Sequence, residues 1–153
     1  MNKINLLLSA CLAGEKVRYD GNHNQIEQLE QLQKDFNIFL VCPEVQGGMA
    51  TPRIPSEIIS INPLKIQNEY GIDTTDFFLS GASIALDICK QHNIQIALFK
   101  AKSPSCGNNK IYDGTFTKTL IDGMGVTAAM LEHNNIKVFN ETQIKELYEY
   151  IKH

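Results

Sequence analysis

Four short runs of consecutive apolar residues, at positions 5–10, 38–42, 94–101 and 136–139, punctuate the chain. Each is bounded by turn residues, the pattern of a strand buried on both faces of a parallel sheet. The segments between and after them, 25–36, 75–92, 125–133 and 141–152, read as helices. In the first, Ile26, Leu29, Leu32 and Phe36 are spaced to form a stripe facing the sheet. Strand and helix therefore alternate. The pattern predicts an α/β fold, a three-layer Rossmann-like parallel sheet with right-handed crossovers. A chain of 153 residues fits one domain spanning 1–153.

Residues 51–74 depart from the alternation. Three of the five prolines fall there, with two β-rich pieces, 57–61 and 64–68, on either side of Asn62-Pro63. This reads as a small β-hairpin arm beside the sheet. The glycines of 122–127 allow a sharp turn into the helix at 125–133, whose free N–H groups could hold an anion; plain turn chemistry accounts for them as well.

The cysteines carry more information than the composition. A chain of this length buries a core without staples, and a start with so short an apolar stretch does not read as a secretory signal. No run approaches the ~18 apolar residues of a membrane span. A cytoplasmic chain with no membrane role is expected, where structural disulfides are rare. That leaves burial, catalysis or metal for Cys11, Cys42, Cys89 and Cys106.

Cys11 ends the first apolar run, Cys42 ends the second, and Cys106 follows the third after a few polar and turn residues. In an open parallel sheet, the loops at the carboxyl ends of the strands converge on one edge, where ligands bind. These three thiols can therefore meet in space. A thiolate cluster suits iron-sulfur, zinc or copper(I). The close Cys-x-x-Cys pairs of zinc sites are missing, and a dispersed cysteine serves equally as a buried apolar residue. Cys89 lies mid-helix in IALDIC with no turn beside it and is expected to pack. His23, His92, His133 and His153 share no ligand spacing.

The motifs SACLAG, VCPEVQGGMATPR, KSPSCG, IYDGTF and GMGVTAAML occur in this order along nearly the whole chain. In them the sequence resembles the 2-thiouracil desulfurase family, small bacterial iron-sulfur proteins formerly known as a domain of unknown function. The resemblance implies a 4Fe-4S cluster held by three cysteines, with one iron open. The matching ligands are Cys11, Cys42 and Cys106, and Cys89 falls outside every motif. It implies an enzyme that replaces the sulfur of a thiolated nucleobase or nucleoside with oxygen, without net redox change. Glu44 and Ser103 match the acid and serine that the family places near the substrate.

Residue chemistry adds detail to that expectation. Glu44 is two positions from a ligand and suits a general base; a loop or helix-start carboxylate is the plainer reading. Pro104 pushes Ser103 towards an extended conformation, and Ser103 or Ser105 can hold water or a ring nitrogen, or cap the turn. Gly47 and Gly48 permit close backbone approach to a flat ring or to the cluster, or simply turn the chain. Arg53 can offset cluster charge or bind substrate, or can simply lie on the surface. Asp113-Gly114 has the two-residue hairpin signature and would place Tyr112 or Phe116 over the pocket.

A net charge of −3 argues against long nucleic acid, which needs a basic face, so a small thiolated base or nucleoside is the expected partner. Oligomeric state is not readable. Two other functions fit the same residues: an iron-sulfur sensor or sulfide carrier, and a metal-free small-molecule binder whose thiols only pack.

Overall fold

The computed structural model describes residues 3–152; His153 lies outside them. Strand β1 (Ile4–Ser9) runs into a single 3-10 turn, Ala10–Ala13. Then come α1 (Leu29–Asp35), β2 (Phe36–Val41), the short α2 (Pro43–Gln46), and a hairpin of β3 (Ser56–Ile61) and β4 (Leu64–Asn68). The long α3 (Thr75–Gln91) leads to β5 (Ile96–Phe99). A second small ribbon, β6 (Lys110–Tyr112) with β7 (Leu120–Asp122), precedes α4 (Val126–His133), β8 (Lys137–Asn140) and α5 (Ile144–Ile151).

The main sheet has the order β2-β1-β5-β8, and every neighbouring pair is parallel. Three layers follow from its composition. Leu7, Ala97 and Val138 pack on one face with Ala85 of α3 and Leu131 of α4. Leu6, Leu8, Leu98 and Phe139 pack on the other with Leu32 of α1 and Leu147 of α5. Alternate residues of β1 thus enter opposite cores, as the strand period requires. Each fully buried leucine of β1 contributes about 1.5–3 kcal/mol of apolar burial.

After β2 the chain crosses to the far side of β1 to make β5. Strand order reverses there, and a crevice opens beyond the carboxyl ends of β1, β2 and β5. Cys11, Cys42 and Cys106 follow those three strands.

Several expectations need correction. Burial on both faces holds for β1 and β5 but not for β2, an edge strand whose Leu40 is exposed. The first helix begins at Leu29, not at 25, because the N–H groups of Asn24 and Ile26 donate to the carbonyls of Cys11 and Leu12 instead. The last begins at Ile144 because Glu141 reaches back to Lys100 and to the N–H of Ala101. Asp113-Gly114 is not a two-residue hairpin turn. Residues 113–119 form a longer loop, closed by Asp113 N–H on the Thr119 carbonyl and laced by the hydroxyls of Thr115, Thr117 and Thr119.

The amino end of α4 is also unavailable to an anion. Gly125 and Val126 donate to the carbonyls of Gly107 and Pro104, and Thr127 and Ala128 both donate to that of Ser105. This lashing fixes the turn carrying Cys106 against α4.

Candidate functional site

A cavity of about 530 Å³ occupies the crevice. Cys11, Cys42, Cys106, Glu44, Ser103 and Arg53 all line it, although they come from four separate stretches of sequence. Cys11 sits in the 3-10 turn that ends at Gly14, whose φ of 93° is the left-handed conformation that glycine adopts without strain. Cys42 lies between β2 and α2, its N–H donated to Oε1 of Gln46 at 3.0 Å. Cys106 follows β5, and its N–H donates to Oγ of Ser103 at 3.0 Å.

All three are free thiols. Burial raises the pKa of each above its ordinary value. The nearly fully buried Cys106 is pushed furthest, with further upward contributions from Cys42, Glu44 and Cys11. Cys42 raises Cys11 in the same way. Ionisation of Cys11 and of Cys106 is thus opposed by neighbouring thiols across a shared space. Such a donor set fits a positively charged, thiophilic group, which would reverse the electrostatics and take all three as thiolates. Among the described residues, no three His, Cys, Asp or Glu side chains gather tightly enough for a single metal ion. A polynuclear cluster takes each thiolate on a different iron and accepts the wider spread.

Ser9 and Asn24, which sequence reasoning missed, support this set. The Ser9 hydroxyl accepts the N–H of Lys100 at 3.1 Å and points its own hydrogen at Cys106 Sγ, 3.8 Å away. The Asn24 backbone N–H donates to the carbonyl of Cys11 at 2.9 Å and so holds the turn that carries this thiol. Ser9 opens SACLAG, so its motif was visible but its role was not. Cys89 packs in the core with Ala85 and Ile94 and is not among the residues that line the cavity.

A second group of contacts surrounds Glu44, in the first turn of α2. Its Oε1 accepts Nε of Arg53 at 3.1 Å, and the Ser103 hydroxyl lies 3.5 Å from Oε2. Arg53 is no surface residue, with its side chain only 7% exposed. Its remaining nitrogens donate to the carbonyl of Ala50, Oγ1 of Thr51 and the carbonyl of Val17. The Ser103 oxygen accepts two backbone N–H groups, from Ser105 and Cys106, both at 3.0 Å. With its lone pairs taken, its hydroxyl hydrogen is left for Glu44.

Gly47, Gly48 and Ser105 are not brought to the cavity wall. A Cβ on Gly47 would lie 2.2 Å from the carbonyl oxygen of Phe77, and one on Gly48 would meet the Phe77 ring. These glycines let α2 press against α3. Ser105 is fully buried, its hydroxyl 2.7 Å from that of Thr127. Tyr112 and Phe116 do line the cavity, with Lys100, Lys102 and Glu57. No helix among the described residues is long and apolar enough to cross a membrane.

The family model described as 2-thiouracil desulfurase matches residues 6–143. The chain is 37% identical over 149 residues to the uncharacterized protein YbbK of Bacillus subtilis, covering 93% of this chain and 99% of that one. Among solved structures it is similar to the [4Fe-4S]-dependent thiouracil desulfidase TudS. That similarity has a TM-score of 0.92 and 39% identity, over 98% of this chain and 99% of TudS.

Proposed function

The chain belongs to the 2-thiouracil desulfurase family, and from that membership we propose that it is an enzyme replacing the sulfur of a small thiolated base or nucleoside with oxygen. One observation carries the reading. Three free thiols from three strand ends share a cavity wall with a carboxylate that is itself tied to a serine hydroxyl. A purely packing role for the thiols would require no such acid beside them.

In this reading Cys11, Cys42 and Cys106 hold a 4Fe-4S cluster and no fourth protein ligand completes it. When bound, such a cluster supplies one open iron, a soft Lewis acid suited to a thiocarbonyl sulfur. The remaining work falls to the chain. The Ser9 hydroxyl directs the Cys106 thiol, and the Asn24 backbone N–H holds the turn that carries Cys11. Glu44 takes a proton from the incoming water, a contribution on the order of 10²- to 10⁴-fold for a positioned base. Arg53 holds Oε1 of Glu44, which leaves Oε2 on the side of Ser103. The Ser103 hydroxyl donates to Oε2 and fixes the direction in which that oxygen meets the water. Tyr112 and Phe116 offer flat apolar wall to the ring. The overall exchange is balanced: C=S and water become C=O and hydrogen sulfide, with no electrons gained or lost.

The test is anaerobic reconstitution with iron and sulfide, followed by measurement of sulfide released from 2-thiouracil. Uracil and sulfide in equal amounts are expected. An intact cluster that releases nothing from thiolated bases or nucleosides would overturn the reading and favour a sulfide carrier or sensor.

A further inference from the structure

The cavity contains a second acid that the desulfuration scheme leaves unused. Glu57, in β3, is only 8% exposed and lines the cavity. One of its oxygens, Oε1, accepts the N–H of Gly114 at 2.9 Å and that of Phe116 at 3.3 Å. The other, Oε2, has neither a hydrogen bond nor a cation among the described residues. No fully enclosed side-chain polar atom there lacks a partner, so Oε2 must reach open space, and the space that Glu57 borders is the cavity.

A nearly buried carboxylate without a cation is costly unless donors satisfy it. The two backbone N–H groups serve one oxygen only. The chemistry of the substrate class supplies what the other needs. The donors of 2-thiouracil are its two ring N–H groups, while its sulfur and oxygen only accept, so the ring needs an acceptor on the wall. Glu44 has Oε1 on Arg53 and Oε2 on Ser103, and Glu69 is exposed. Glu57 is the buried acid with an oxygen to spare.

We propose that Glu57 is the specificity-determining residue of this site: Oε2 accepts one ring N–H of the thiolated base, so the enzyme selects rings unsubstituted at that nitrogen. The inference rests on the desulfuration reading, but its test does not depend on turnover. Calorimetry on the cluster-loaded protein compares uracil with 1-methyluracil and 3-methyluracil. Methylation at one of the two nitrogens is expected to weaken binding at least about tenfold, the scale of a lost hydrogen bond to a charged group. Glu57→Gln keeps an oxygen for Gly114 and Phe116 but turns an N–H₂ towards the ring, and should abolish that discrimination. Equal iron content and circular dichroism verify that the variant is folded, and the methyl series on the unaltered protein needs no variant.

Equal binding of all three ligands, no binding of any, or discrimination that survives in Glu57→Gln overturns the proposal. Selective uracil binding without sulfide release from 2-thiouracil upholds Glu57 and sinks the desulfuration reading. Sulfide release without N-methyl discrimination does the reverse.

Discussion

Ser103 and Glu44 stand 59 positions apart in sequence, yet the serine hydroxyl lies 3.5 Å from a carboxylate oxygen of the glutamate. Two backbone N–H groups on the serine oxygen leave its hydrogen no better acceptor. Ser103→Ala removes that donor and leaves both N–H groups without their partner. Turnover should fall on the order of 10²-fold, the lower range for a positioned proton-handling group. Iron content should stay near the parent's. Anaerobic sulfide release and iron assay on the same preparation separate the two, and unchanged turnover would remove Ser103 from the chemistry.

Arg53 and Glu44 form a pair with side chains 7% and 18% exposed. Breaking so enclosed a pair leaves an uncompensated charge, a loss of about 3 kcal/mol or more. Arg53→Ala should lower the urea midpoint accordingly. Arg53→Lys should also lose activity, since one ammonium cannot reach Glu44, Ala50, Thr51 and Val17 together. A lysine variant with parental stability and turnover would reduce Arg53 to a charge.

Gly81 lies on α3, outside the cavity lining, and still bears on the site. A Cβ there would lie 2.0 Å from the carbonyl oxygen of Pro43, which starts α2 between Cys42 and Glu44. Backbone must move to admit it. Gly81→Ala should destabilise the protein by about 1–3 kcal/mol and reduce the iron bound after reconstitution. Full stability with full iron content would show that α2 slides freely, contrary to this packing.

Burial in the core pushes the Cys89 thiol up to about 11 from 9.0. The unfolded chain therefore releases this proton first as pH rises. The stability that Cys89 contributes is intact below pH 9.0 and is lost between there and about 11. The loss amounts to about 2–3 kcal/mol. Urea midpoints measured across that interval should fall less steeply for Cys89→Ala than for the parent, whereas parallel curves would contradict the burial argument.

The architecture was legible because its signals are local. Period and length of the apolar runs identify β1, β5 and β8 within two residues or so at most of their ends. The convergence of Cys11, Cys42 and Cys106 on one cavity followed from topology alone, since loops at strand carboxyl ends share an edge. What eluded the sequence depends on contacts between distant segments. The delayed start of α1 reflects backbone bonds to Cys11 and Leu12, and the loop at 113–119 reflects Glu57 gathering its N–H groups. Gly47 and Gly48 looked like ligand-approach glycines because close approach to α3 demands the same residue. Ser9, Asn24 and Glu57 carry no sequence signature of their roles; each acts through hydrogen bonds to other segments or through a cavity the fold creates.

The most direct test is the iron content of single serine substitutions after anaerobic reconstitution. The account predicts about four irons per chain in the parent and in Cys89→Ser, with loss of most iron in Cys11→Ser, Cys42→Ser and Cys106→Ser. Full iron in any of those three, or its loss in Cys89→Ser alone, would contradict the claim that three strand-end thiols hold the cluster.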